Sequence, residues 1–292
     1  MTATQPAPER ADFRFLDRLR VRWAEVDMQK IVFNGHYLMY FDTAIAGYWR
    51  ALALPYHETM QGLQGDLYVR KATVEYEGSA RYDDVCEVGV RCARIGNSSM
   101  VFGAAVLRGE TRLVHGELVY VFADPATQTS RPVPQKLRAV LEAFEAGAPM
   151  LDCRTGPWPQ LGGDARPLRQ AAFVVEQGLP ASLVEDAADA SALHAVAYNH
   201  FGLAVGTGRL TVEAPACSRI GRLAVLGALR GAGVGGALVR SLVGAARARG
   251  DHELVLAASV PAQRFYERLG FAARGARFAQ AGLMHQEMVL IP

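Results

Sequence analysis

The sequence predicts an α+β chain of two domains: an antiparallel sheet wrapped around one long helix, then a mixed sheet with flanking helices. Three observations carry that reading. Residues 36–52 place Leu38, Phe41, Ile45, Tyr48 and Leu52 at helical steps, and Tyr37, Tyr40, Ala44 and Trp49 extend the apolar face almost around the helix. Strand-like runs at 67–76, 85–95, 100–107 and 112–123 follow, separated by short turns. After a proline-rich break, strand and helix patterns alternate around a glycine-rich run at 230–236.

The elements follow in chain order. Residues 13–23 read as an extended run and 24–30 as a turn. A helix that is apolar on most sides must be wrapped rather than laid on a surface, so the sheet after helix 36–52 is expected to curl around it. In the run 85–95, Cys86, Val88, Val90 and Cys92 alternate with Glu87, Gly89 and Arg91, which makes one sheet face apolar. Short turns between consecutive strands imply an antiparallel meander. A last helix at 134–145 carries Leu137, Val140, Leu141 and Phe144 at steps of three and four.

Residues 146–169 contain four prolines and no apolar period, and read as a connector. The boundaries expected are therefore a first domain 1–146, a linker 147–169 and a second domain 170–292. In the second, the patterns predict a strand at 171–176, a helix near 190–196, and strands at 203–213 and 219–226. A helix ending near Arg249, a strand 254–258, a short helix 261–269 and a strand 284–291 complete it.

A chain of 292 residues accommodates two domains of about 140 residues, each large enough for its own core. With 31 basic and 29 acidic residues the net charge is +2, which argues against nucleic acid or an anionic membrane as partner. Residues 1–20 have no apolar segment of a signal peptide, and no stretch has the length of a membrane span. Cys86, Cys92, Cys153 and Cys217 have no metal-binding spacing, so reduced thiols, a cytoplasmic location and no metal or redox cofactor are expected.

The first candidate site lies around Asp27. A carboxylate beside open backbone N–H groups can act as base or nucleophile while the donors hold an oxygen that becomes negative. Asp27 stands just ahead of a helix start, where the N–H groups near His36 and Tyr37 lack intrahelical acceptors and carry the positive end of the dipole. The segment RVRWAEVDMQKIVFNGHYLMYFD, residues 20–42, resembles the hotdog acyl-CoA thioesterases of the 4-hydroxybenzoyl-CoA thioesterase and YbgC type, and the resemblance extends over 13–144. It implies that Asp27 is catalytic and that backbone at Gly35–Tyr37 forms the oxyanion pocket; Asn34, His36 and Tyr37 are candidate catalytic or substrate residues, the alternatives being a helix-start or packing role for His36 and a core role for Tyr37. It further implies a homodimer or higher homo-oligomer formed through this domain. Lys30 stands where that family usually has glycine, and Asn34 and His36 stand in the reverse order of a common subset. Glu25 reads as a solvated loop charge.

The second candidate site lies around Arg230-Gly231-Ala232-Gly233-Val234-Gly235, followed by Gly236. Glycines let backbone N–H groups approach a pyrophosphate, the following helix dipole favours the anion, and Arg230 adds a charge-assisted contact. With PAQRFYERLGF at 261–271, FVVEQGLP at 173–180 and the pair His285–Gln286, the second half resembles the GNAT acetyltransferases, in an ElaA-like branch. The resemblance implies that Leu223, Ala224 and Val225 pair with the pantetheine arm, that residues 231–236 hold the pyrophosphate, and that Tyr266 protonates the leaving thiolate. Glu176 and His285 are the candidate bases toward the amine. Ala258 or Ser259 stands where that family often carries asparagine.

Together these readings describe a bifunctional enzyme with acyl-CoA and acetyl-CoA as substrates and an amine as acceptor. The alternative is that one domain is a catalytically silent CoA-binding sensor or assembly module.

Overall fold

A computed structural model describes residues 7–280 and 282–292; the first six residues of the expected first domain, and Ala281, lie outside the described residues. The chain divides into two units, one ending at Met150 and one running from Leu151 to Pro292.

The first unit is built on β1 (Phe15–Arg20), α1 (His36–Ala51), α2 (Tyr56–Gly62), β2 (Asp66–Tyr76), β3 (Val85–Ile95), β4 (Ser99–Arg108), β5 (Thr111–Ala123) and α3 (Gln135–Glu145). Its five strands form an antiparallel sheet in the order β1-β3-β4-β5-β2. The meander expectation holds for β3-β4-β5, but β2 crosses to the far side and pairs with β5 rather than with β3.

The sheet packs around α1, whose Tyr37, Tyr40, Phe41, Ala44, Ile45, Gly47, Tyr48 and Trp49 are buried. Gly116 lets strand and helix meet closely: a Cβ there would lie 2.1 Å from the Thr73 carbonyl oxygen and 3.1 Å from the Phe41 ring. Leu38, Met39, Asp42 and Thr43 remain exposed, so the helix is wrapped on less of its girth than its composition suggests. α3 closes one end, where Tyr48 meets the Phe144 ring at 5.1 Å and donates to Glu145. The short α2 was not visible in the pattern.

The second unit contains β6 (Leu151–Gly156), α4 (Trp158–Arg169), β7 (Leu193–Asn199), β8 (Ala204–Ala214), β9 (Cys217–Val225), α5 (Val234–Arg249), β10 (Glu253–Ser259), α6 (Gln263–Glu267), β11 (Ala272–Gln280) and β12 (Leu283–Leu290). Its seven strands run β11-β12-β10-β9-β8-β7-β6, antiparallel except where β9 lies parallel to β10. Leu238, Val239, Leu242 and Ala246 of α5 pack with Val205, Leu210, Ile220, Leu254 and Leu256 of the sheet. Leu161 and Ala165 of α4 pack with Val196 and Tyr198.

Three expectations fail here. The 147–169 connector is folded: it contributes β6 and α4, and Pro159 sits in the first turn of α4, where the missing N–H is not needed. The 171–176 strand is a π-helical turn, Gln170–Val175, continuing α4 past Pro167. The 190–196 helix is mostly β7, whose residues 194–199 are all buried; a short apolar run buried on both faces has no period that separates strand from helix. The edge strand β11 was also missed, because it is exposed throughout and carries no apolar alternation.

Among the described residues no helix is long and apolar enough to cross a membrane, and no group of three His, Cys, Asp or Glu side chains could hold a metal ion. All four cysteines are free.

Candidate functional site

In the first unit, Asp27 closes a three-residue hairpin loop. Its N–H donates to the Ile31 carbonyl and its carbonyl accepts from Lys30 N–H, each at 2.9 Å, while Val26 and Val32 form a bridge. The Asp27 carboxylate is half-buried and accepts from the Gln29 N–H at 2.8 Å. Such loops end in a left-handed residue. Lys30 takes that role with φ +63°, the position that the resemblance reserves for glycine.

The hairpin is tied to the start of α1. Phe33 N–H donates to the Glu25 carbonyl and Val32 N–H to the Ala80 carbonyl, each at 2.9 Å. Glu25 is not the solvated charge expected: it is 3% exposed and accepts from the Arg22 backbone at 2.7 Å and from Tyr40 Oη at 2.8 Å. Burial pushes its carboxyl up, but the Arg22 and Tyr40 hydrogen bonds outweigh that and hold it below the ordinary value. The three-residue spacing of Arg22 and Glu25 was the available signal, since each caps the other across one turn.

At the helix start, His36 N–H donates to the Phe33 carbonyl at 2.9 Å and Tyr37 N–H to the Asn34 carbonyl at 3.4 Å. Those two donors, expected to be open, are already engaged. The Gly35 N–H has no acceptor among the described residues. Tyr37 is buried and its Oη accepts from Ala80 N–H at 2.9 Å, which makes its ring structural. Asn34 is exposed, with its carbonyl accepting from Tyr76 Oη at 3.2 Å; His36 is half-buried, edge-on to Phe33 at 5.9 Å. Trp23, Met28, Phe33, Leu38 and Met39 are exposed apolar side chains of this same segment.

In the second unit, β9 and β10 pair at only three positions, Cys217–Arg219 with Glu253–Val255, and then part. Beyond Arg219 one edge of β9 lacks a strand neighbour, leaving backbone donors and acceptors open on that side. A cavity of about 1430 Å³ occupies this opening. It is lined by Leu223, Ala224 and Val225, by Arg230, Gly231, Gly233, Gly235 and Gly236, and by Tyr266 and His285.

The glycine loop is shaped by left-handed backbone at Gly231 (φ +84°) and at Gly233 (φ +86°), which caps α5. The N–H groups of Gly233, Val234, Gly235 and Gly236 have no acceptor among the described residues, and they open α5. Ala232 and Val234 do not line the cavity by side chain. Gly206 of β8 lets α5 approach: a Cβ there would lie 2.9 Å from both Val234 and Leu238.

Tyr266 is 8% exposed, and burial pushes its phenol up to about 12. His285 stacks on Phe278 at 6.0 Å, and its Nδ1 lies 3.0 Å from the Leu283 carbonyl. A carbonyl only accepts, so Nδ1 carries a proton, and Nε2 is the ring nitrogen left to act as a base. Glu176 does not line the cavity; its carboxylate receives a hydrogen bond from Arg230 at 2.5 Å. The two groups expected to serve as base and phosphate contact thus bind each other. Sequence reasoning also missed Arg209, Arg219, Arg222 and Arg240 in the cavity wall.

A family model described as thioesterase superfamily matches residues 29–115, and one described as acetyltransferase (GNAT) domain matches residues 162–292. The chain belongs to the thioesterase superfamily in its first unit and to the GNAT acetyltransferases in its second. It is 27% identical over 125 residues to the acyl-CoA thioester hydrolase YbgC of Escherichia coli O6:H1, covering 41% of this chain and 90% of the relative. It is 32% identical over 127 residues to the uncharacterized N-acetyltransferase YjcF of Bacillus subtilis, covering 43% of this chain and 89% of the relative. Among solved structures, the PA5185 protein of Pseudomonas aeruginosa is 28% identical, covers 49% of this chain and 99% of its own, and has a TM-score of 0.42. The acetyltransferase match begins at residue 162, inside the stretch read as a connector. Asp27 lies just outside the thioesterase match, whereas Lys30 and the start of α1 lie within it.

Proposed function

We propose that the chain is a bifunctional CoA enzyme. Its thioesterase unit hydrolyses an acyl-CoA, and its GNAT unit moves an acetyl group from acetyl-CoA to an amine. The observation that carries the reading is the opening between β9 and β10, which joins a strand edge to the free N–H groups at the start of α5. A pantetheine arm suits the first and a pyrophosphate the second.

In the thioesterase unit, Asp27 takes a proton from water as the water oxygen attacks the thioester carbon. The carbonyl oxygen becomes an oxyanion facing the Gly35 N–H at the positive end of α1. The C–S bond then breaks as Asp27 returns that proton to the departing sulfur, giving a carboxylic acid and CoA thiol and restoring the carboxylate. This unit is a homodimer or higher homo-oligomer in the proposal. The exposed Trp23, Met28, Phe33, Leu38 and Met39 support it, because apolar side chains grouped at a site are normally covered.

In the GNAT unit, His285 Nε2 removes a proton as the amine nitrogen attacks the acetyl carbon. Tyr266 gives its proton to the departing thiolate sulfur, leaving an amide and CoA thiol. A phenol held near 12 keeps that proton at neutral pH. Glu176 is not favoured as base, since Arg230 already holds it.

The test is free-thiol release by the whole chain from a panel of acyl-CoAs, with and without amines, comparing the native protein with Asp27→Asn and Tyr266→Phe. Asp27→Asn is expected to abolish release without amine and to spare the amine-dependent release; Tyr266→Phe is expected to do the reverse. Loss of both activities in either folded variant sinks the two-site assignment.

A further inference from the structure

The wall of the GNAT cavity contains a cationic cluster that the transfer chemistry does not use. Arg169 of α4 is fully buried and donates to Asp189 at 2.9 Å and to the Val184 carbonyl at 3.1 Å. Its Nη2 lies 3.1 Å from His194 Nδ1, which must accept because a guanidinium only donates. His194 Nε2 then donates to the Asp189 carbonyl at 3.0 Å, so this ring is neutral. Burial, with Arg169 beside it, holds its pKa below the ordinary value, consistent with that state.

Arg209 of β8 donates to Asp186 at 2.7 Å and to Asp189 at 2.8 Å, and Arg222 of β9 donates to Asp186 at 2.7 Å. Three guanidinium groups therefore face two carboxylates, leaving one positive charge in excess. The Nε atoms of all three arginines are buried without a partner.

The arrangement is directional. Arg209 and Arg222 line the cavity, whereas Asp186, Asp189 and Arg169 do not. The carboxylates brace the guanidinium groups from behind. Arg219 also lines the cavity, but Glu213 and Glu287 neutralise it.

Arg222 has a left-handed backbone, φ +51°, at a bulge where Arg222 and Leu223 oppose the single residue Gly208. Bulges re-aim side chains, and a non-glycine residue held at positive φ is a recurrent mark of functional sites. Its place along β9 separates it from the phosphate end. Three strand residues, 223–225, separate Arg222 from Leu226, where the turn to the glycine loop begins, a rise of roughly 13 Å. Arg222 sits instead near Arg219, where β9 and β10 part. A CoA thioester whose pyrophosphate rests on Gly233–Gly236 brings its acyl end toward that point.

We propose that the acetyl acceptor is an amine carrying a carboxylate, and that Arg222, backed by Arg209, holds that carboxylate. One excess charge matches one carboxylate, and the guanidinium fork offers it paired donors. The proposal rests on acetyl-CoA occupying the opening between β9 and β10.

The test uses the full chain with acetyl-CoA and matched amine pairs, amino acids against their carboxamides, read by thiol release, with acetyl-CoA binding measured separately. The native protein is expected to favour the carboxylate member by roughly 100-fold in kcat/KM, the size of effect usual for a hydrogen bond to a charged group. Arg222→Gln is expected to bring that ratio to near one. Arg222→Lys, which keeps the charge and guards against a misfolded glutamine variant, is expected to retain an intermediate ratio. Equal use of both members by the native protein overturns the inference, as does a preference that survives in Arg222→Gln. Loss of acetyl-CoA affinity in Arg222→Gln with the preference intact also overturns it, as does acetyl-CoA binding with no turnover of any carboxylate-bearing amine. Failure of the native chain to bind acetyl-CoA instead overturns the reading beneath it.

Discussion

Both units set a helix start beside their candidate chemistry, and they treat it differently. At α1, His36 and Tyr37 turn their N–H groups back to Phe33 and Asn34, and Gly35 keeps an open donor. At α5, left-handed glycines 231 and 233 swing the chain away, and four successive N–H groups from Gly233 to Gly236 stay open. The anions proposed differ in the same sense. A tetrahedral intermediate presents one developing oxyanion for the lifetime of a step, whereas a pyrophosphate presents several charged oxygens throughout binding. The residue that sets the left-handed turn differs as well: lysine at position 30, glycine at 231 and 233. A side chain is tolerated beside the first site, while the second requires bare backbone.

That contrast can be broken at four points. The largest effect is expected for Asp27→Asn, which removes the proposed base and should lower amine-independent thiol release by roughly 1,000-fold; a loss below tenfold separates Asp27 from the chemistry. Tyr266→Phe keeps the ring in its buried place and should lower acetyl transfer by roughly 100-fold with little change in acetyl-CoA affinity. Gly233→Ala puts a Cβ on backbone at φ +86°, a cost of about 1–2 kcal/mol. About tenfold weaker acetyl-CoA binding by calorimetry is the expected result, and unchanged binding means that the loop does not cradle the phosphates. Lys30→Gly is expected to have the smallest effect. It removes left-handed strain at φ +63° and should stabilise the chain by up to about 1 kcal/mol in urea unfolding. A marked loss of stability or hydrolysis would instead give the Lys30 side chain a role of its own.

The long helix, strands β3, β4 and β5, and the glycine loop were legible because each follows a local rule: an apolar period, an alternation, or a run of glycines before a helix. The connector expectation failed because proline breaks most helices, yet Pro159 sits in the first turn of α4 and Pro167 near its end. Glu25 was misread because a lone carboxylate in a turn is usually solvated; the Arg22 spacing signalled a local cap, whereas burial beneath Tyr40 is a tertiary contact. The arginine cluster at and behind the wall of the GNAT cavity was invisible as a group. Arg169, Arg209 and Arg222 lie on three separate elements, α4, β8 and β9, and their spacing has no period.

By itself, the sequence determined the two-unit α+β plan, the wrapped helix, the position of Asp27 ahead of α1 and the glycine loop ahead of α5. These are contained in short stretches where neighbours in the chain are neighbours in space. Only the tertiary structure decided that β2 joins β5, that β9 parts from β10 after Arg219, that Arg230 binds Glu176, and that three arginines surround two aspartates. Strand order and buried charge pairing depend on groups tens of residues apart, and local propensity carries no information about which of them meet.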